Sequence, residues 1–147
     1  MNAITTEDRK LEMAKTERAI ANIIGKYPTY MRPPYSQCDE KSGCQKDMKD
    51  MGYSIVGVPF DTLDWKNAGG HIQDSTTQVE EFFDKLTPDS HPIVCQHDFL
   101  GASVQELTPV VLDQIEAKGL KAVTLGECLG DDIANWYRKP GTGESWI

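Results

Sequence analysis

An α/β fold, with parallel strands covered on their outer face by helices, is what this chain predicts. Helical and strand-like segments alternate in the order αβαβαβαβ, the strand-like runs are continuously apolar, and polar reactive side chains recur where those runs stop. Met31-Arg32-Pro33-Pro34-Tyr35 closes one run, Asp61-Thr62-Leu63-Asp64-Trp65 a second, and Gln96-His97-Asp98 a third. Such groups at the C-terminal ends of strands describe the rim of a βα-barrel, where catalytic residues gather. At 147 residues the chain is short for a full eight-unit barrel, which takes about 250, so either the barrel is small or part of it is absent.

Each element has its own signal. A Thr cap, Glu7 and Asp8 in the first turn, apolar Ala19, Ile20, Ile23 and Ile24, and a stop at Gly25 predict a helix over Thr5–Ile24. The run Tyr27–Met31 reads as a strand halted by Pro33-Pro34, and a second helix is expected from about Glu40 to Met51, stopped by Gly52. A buried strand over Tyr53–Val58 follows. Ser75 and Gln78 form a capping-box pattern before Val79, Phe82, Phe83 and Leu86, which recur at helical spacing. The strand His91–Gln96 precedes a second such pattern, Ser103 with Glu106, before Leu107, Val110, Val111 and Ile115. Lys121–Leu125 is read as the last strand, and residues 139–147 as a loose tail behind one continuous domain over 1–138.

Composition narrows the function. The chain has 15 basic against 23 acidic residues, a net charge of −8, and no basic cluster to neutralise phosphates, which argues against a nucleic-acid partner. No apolar stretch approaches the roughly 20 residues that cross a bilayer, and the opening Met-Asn-Ala-Ile-Thr-Thr-Glu-Asp lacks the basic and apolar parts of a signal peptide. Cysteines 38, 44, 95 and 128 do not follow a zinc-ribbon spacing. Cys38 and Cys44 flank a short polar loop compatible with a local disulfide, Cys95 lies in an apolar run as a buried thiol, and Cys128 has no evident partner.

Taken together, Arg32-Pro33-Pro34-Tyr35, Asp61-x-x-Asp64-Trp65 and His97-Asp98 resemble the third, fourth and fifth motifs of the polysaccharide deacetylases, the NodB-homology domain of carbohydrate esterase family four. The ending Thr124-Leu-Gly-Glu-Cys-Leu-Gly-Asp-Asp, with Asn135-Trp-Tyr-Arg, is similar to that of fungal chitin deacetylases. The resemblance implies a distorted βα-barrel and a metal-dependent amidohydrolase, secreted or in the cell wall, that removes acetyl groups from N-acetylglucosamine units of chitin or a related glycan. In that family zinc or another divalent metal such as cobalt, held by one Asp and two His, polarises the acetamide and activates water, and a second Asp is the general base. By resemblance His97 is the general acid with Asp64 holding its tautomer, and Arg32 pairs with the base. The Tyr35 backbone N–H faces the developing oxyanion, Trp65 walls the sugar groove, and Cys95 stands where the family has a Leu that receives the acetyl methyl. The resemblance also implies the Cys38–Cys44 bridge, and a partner for Cys128 near the start of the domain.

The departures from the family pattern carry equal weight. Neither the first motif, a Thr-Phe-Asp-Asp-Gly-like run with the base and a metal ligand, nor the second, with two His one helical turn apart, occurs in this sequence. Its three histidines, His71, His91 and His97, include no pair at i and i+4, and a makeshift site from Asp61, His71 and Asp74 is the remaining arrangement to weigh. The expectation is the later and larger part of a deacetylase domain, with little turnover by itself. Its rivals are an inactive glycan-binding remnant, a truncated gene product with no function of its own, and a chain that completes an open sheet edge by associating with another polypeptide. Against the motif readings, Arg32 alone would brace a loop, Asp64 alone would be a turn residue, and Trp65 alone would be core.

Overall fold

Thr5 accepts a hydrogen bond from the Asp8 N–H at 3.1 Å, and Gly25, at φ 69°, turns the backbone left-handed where the first helix stops. In the computed structural model, which describes residues 1–140, the elements in chain order begin with α1 (Thr6–Ile24), β1 (Tyr27–Pro28), β2 (Tyr30–Met31), α2 (Cys44–Asp50) and β3 (Ser54–Ile55). They continue with β4 (Phe60–Asp61), α3 (Asp64–Asn67), α4 (Ile72–Phe83), β5 (Val94–Cys95), α5 (Thr108–Ala117), α6 (Leu125–Cys128) and β6 (Tyr137–Arg138). Two 3-10 turns, Pro34–Ser36 and Ile133–Asn135, and one π turn, Ser103–Leu107, complete the set. Of the tail read as loose, residues 141–147 lie outside the described residues. The chain divides into two units, one of residues 1–57 with the segment from Leu125 onward, the other of Val58–Thr124.

In the first unit, β2 pairs parallel with β3, with Tyr30 opposite Ser54, whereas β1 pairs antiparallel with β6. The expectation of parallel pairing throughout is corrected there, because the last strand turns back across the 3-10 turn at Ile133–Asn135 to meet β1. The core gathers Met13, Met31, Met48, Met51 and Tyr53 around the Cys38–Cys44 disulfide, whose Cα atoms lie 5.1 Å apart.

The face that α1 buries differs from the one its apolar residues suggest. Arg9, Met13, Ala14 and Glu17 point inward, while Ala19, Ile23 and Ile24 are exposed. Arg9 is tolerated because all five of its N–H donors are used. Nε binds Asp47 at 2.8 Å, Nη1 the carbonyls of Met1 and Ile4 at 2.8 and 2.6 Å, and Nη2 the Ser42 carbonyl at 2.9 Å and the Thr6 hydroxyl at 3.4 Å. Glu17 accepts from the Tyr53 hydroxyl at 2.6 Å and from the Arg138 guanidinium, which also lies over the Tyr27 and Tyr53 rings. Burial, and then Glu17, push the Tyr53 phenol well above its ordinary value.

In the second unit, β4 and β5 pair in parallel, Phe60 opposite Val94 and Asp61 opposite Cys95. Ile72, Val79, Phe83, Leu107 and Val111 form its core, with Phe60 stacked on Phe82 at 3.9 Å. Neither capping-box pattern acts as a cap. Helix α4 starts at Ile72, so Ser75 lies inside it, fully buried, and accepts a hydrogen bond from Asn67 Nδ2 at 3.0 Å. Ser103 opens a π turn instead, in which the Thr108 N–H reaches back to the Ser103 carbonyl. Pro109 accounts for it: proline has no N–H to continue an α ladder and its ring collides with the carbonyl four residues back, a conflict that one wider turn relieves. Residues 121–124 are exposed and belong to none of the strand pairs, and Leu125 opens α6 instead of ending a strand.

Two substitutions test this packing. A Cβ on Gly126 would lie 2.1 Å from Trp136 Nε1, so Gly126→Ala should lower the unfolding free energy in urea by about 1–3 kcal/mol. Arg9→Met strands the Asp47 carboxylate in the interior and should cost about 3–5 kcal/mol in the same measurement, with much of the loss recovered in the Arg9→Met, Asp47→Leu pair.

Candidate active site

The ends of β4 and β5 bring the reactive groups of the second unit together. Asp61 Oδ1 accepts the Leu63 N–H at 2.9 Å, a local turn in which Leu63 takes left-handed backbone at φ 56° and α3 starts at Asp64. The same carboxylate aims Trp65: the indole Nε1 donates to Asp61 Oδ2 at 3.3 Å, and the ring stays 55% exposed.

Asp64 is fully buried and tied to His97 twice. Its Oδ1 faces His97 Nδ1 at 2.7 Å and its Oδ2 accepts the His97 backbone N–H at 2.7 Å. Oδ1 also accepts the Trp65 N–H at 2.9 Å. Burial works to push the Asp64 carboxyl up, but the Ser103 hydroxyl, the His97 ring and the His97 N–H together outweigh it and hold the carboxyl below its ordinary value. An ionised Asp64 fixes the proton of His97 on Nδ1 and leaves Nε2 to meet a ligand, since the half-buried ring keeps one side open. A histidine backed by a buried carboxylate is the arrangement that moves protons to and from a reacting group.

Cys95 is buried, as expected, and its carbonyl accepts both the Thr62 N–H and hydroxyl, at 3.3 and 3.0 Å. Trp65 is not core. Sequence reasoning missed Phe99, 76% exposed with its ring edge-on to that of His97 at 5.7 Å, because an apolar residue after a strand end reads as core. It also missed how Asp61 aims Trp65, for which the Asp-x-Leu turn pattern was the available signal.

In the first unit, Arg32 is exposed and Tyr35 is 93% exposed. Tyr35 and Ser36 both adopt positive φ, 55° and 54°, which costs a non-glycine residue about 1–3 kcal/mol and is concentrated at functional sites. The turn's own hydrogen bonds run from the Ser36 N–H to Pro33 O and from the Gln37 N–H to Pro34 O, so they do not use the Tyr35 N–H.

A zinc or cobalt site does not fit the residues present. Among the described residues no group of three or more His, Cys, Asp or Glu is placed to hold a metal ion. The makeshift site from Asp61, His71 and Asp74 is therefore not formed: Asp61 is occupied by Leu63 and Trp65, and His71 and Asp74 are exposed at the start of α4. The disulfide pairs Cys38 with Cys44, and Cys128 is a half-buried thiol.

Known proteins resemble this chain in sequence and backbone. A family profile described as "Polysaccharide deacetylase" matches residues 1–56. A chitin deacetylase of Colletotrichum lindemuthianum is 38% identical over 141 residues, covering 94% of this chain and 55% of that protein. A chitin deacetylase of Pestalotiopsis sp is 34% identical over 130 residues, covering 88% of this chain and 42% of the relative. The chain thus spans about half the length of the curated relatives it matches. The solved structure of the Colletotrichum lindemuthianum chitin deacetylase superposes with a TM-score of 0.80 at 38% identity, over 93% of this chain and 60% of that one. The α/β class with parallel strand pairs and outer helices, that of part of a NodB-type βα-barrel, is the fold this chain has. On this likeness in sequence and backbone, the chain belongs to the polysaccharide deacetylase family.

Proposed function

We propose that this chain carries the acid side of a chitin-type deacetylase, an amidohydrolase acting on N-acetylglucosamine polymers. The observation that carries the proposal is the His97–Asp64 pair, a ring and a backbone N–H both fastened to one buried carboxylate. His97, protonated on both nitrogens, gives the Nε2 proton to the departing amine, and Asp64 stabilises the imidazolium and keeps the ring in place. Arg32 pairs with the general base, the Tyr35 N–H meets the oxyanion, and Cys95 takes the position facing the acetyl methyl. Trp65 offers its open face to a sugar ring, and Phe99 provides a second exposed ring beside His97. The Cys38–Cys44 bridge suits an oxidising compartment, in line with a secreted or cell-wall enzyme.

The metal-binding and base motifs do not occur in this sequence, so the chain alone has nothing to bring the pKa of an attacking water from 15.7 down toward about 7. No catalytic step is therefore assigned to a metal here. A second reading, glycan binding without turnover, is favoured by the two exposed aromatic rings at the His97 end of β5.

Chitin oligosaccharides incubated with the chain and added zinc or cobalt should release no acetate above the blank, and measurable release would overturn inactivity of the chain by itself. Quenching of tryptophan fluorescence by the same oligosaccharides should report binding, weakened about tenfold in Trp65→Ala. Absence of any binding would count against both readings. Fused behind a segment carrying the family's first two motifs, the chain should deacetylate, and His97→Asn should then lower kcat by about 10²–10⁴-fold. An equally active variant would remove His97 from the mechanism.

A further inference from the structure

Asp61 and Trp65 make a pair that the acid chemistry of His97 does not use. The indole Nε1–H donates to Asp61 Oδ2 at 3.3 Å, while Asp61 Oδ1 takes the Leu63 N–H at 2.9 Å. The ring is pinned by its edge beside a carboxylate, and the residue stays 55% exposed. An aromatic face carries negative potential, and among side chains the indole of tryptophan attracts a cation most strongly. A carboxylate on the indole N–H polarises the ring further in the same sense.

This chain already uses such contacts within its first unit, where the Arg138 guanidinium lies over the Tyr27 and Tyr53 rings at 5.4 and 5.2 Å and Lys26 over Tyr137 at 5.6 Å. Those rings are served from within, whereas Trp65 is open to solvent. Lys66, the adjoining exposed cation, does not share the Trp65 face, because side chains one residue apart on a helix point in different directions. Charge is also unevenly placed along the chain. Val58–Thr124 holds eleven acidic and four basic residues, so −7 of the net −8 falls in the unit that carries Trp65. A field of that sign draws cations toward this unit and repels anions.

We propose that the Trp65 face, with the Asp61 carboxylate at its edge, is a binding site for a protonated amino sugar, the glucosamine unit of a partly deacetylated glycan. An N-acetylglucosamine unit is neutral, and loss of its acetyl group leaves a primary amine that takes up a proton. The ammonium meets the indole face and the carboxylate together, while the apolar side of the sugar ring keeps its contact with the indole. The choice of glucosamine as the cation rests on the function proposed above. The site then holds sugars that have already lost the acetyl group more firmly than those that still carry it.

The test is calorimetric titration of the chain with two probes, the hexamer of glucosamine and the hexamer of N-acetylglucosamine, at about pH 5.5, where amines are protonated and ordinary carboxylates are ionised. The glucosamine hexamer should bind about tenfold tighter at low salt, and about a tenfold rise in ionic strength should remove most of that advantage. Asp61→Asn, which keeps the size of the side chain and deletes its charge, should reduce the advantage at low salt by about fivefold. An advantage unmoved in a folded Asp61→Asn overturns the site. Should that variant not fold, the nitrogen-15 signal of the Trp65 indole in the parent decides: a shift on adding the glucosamine hexamer supports the site, and an unmoved signal overturns it. Equal binding of the two hexamers overturns the inference and leaves the proposed function standing. Binding of the glucosamine hexamer alone supports the site and counts against the acetylated glycan as the ligand.

Discussion

One buried carboxylate organises the second unit. Asp64 is fully enclosed, and an enclosed charge persists only when its lone pairs are met by donors. Those donors come from two places in the chain: the Trp65 N–H, which belongs to the helix Asp64 begins, and the backbone and ring of His97, 33 residues later, beyond the end of β5. The carboxylate thus joins the ends of two neighbouring parallel strands and orients an imidazole in the same act. Binding a backbone group as well as a ring matters, because a ring held only at Nδ1 still pivots about its own Cα–Cβ bond. With the main chain of His97 fixed to the same acid, the direction of Nε2 follows from the fold.

The chemistry of the rim was legible in the sequence because polar groups stand out where continuously apolar runs stop. Asp61, Asp64, Trp65 and His97 fall together for that reason, and the register Asp61 opposite Cys95 leaves Asp64 three residues and His97 two residues beyond their strands. The Ser75 and Ser103 patterns misled because a serine three residues before Gln or Glu fits a cap equally well when it is buried inside a helical turn, as Ser75 is against Asn67 and Ser103 is at the start of the π turn. Lys121–Leu125 failed for a different reason: Leu125, read as the end of that run, is the first residue of helix α6.

The inward face of α1 was beyond reach of hydropathy. Arg9 and Glu17 are buried by partners 38 and 121 residues away, and no local window contains the acid, hydroxyl or guanidinium that makes their burial tolerable. Such saturated charges add less to net stability than an apolar core of equal volume, yet they are demanding about geometry, since each donor must find its own acceptor. Met13, Met31, Met48 and Met51 fill the space between them with flexible side chains that adapt to that polar frame.

The tie between Glu17 and Arg138 also sets an order of events during synthesis. The unit of residues 58–124 is an unbroken stretch, whereas the other draws on both ends of the chain. On a ribosome releasing polypeptide from its N-terminus, the inner stretch is whole as soon as residue 124 emerges. Helix α1, with its interior carboxylate, must wait for an arginine made 121 residues later. Until then the helix presents a charged flank lacking its counter-ion.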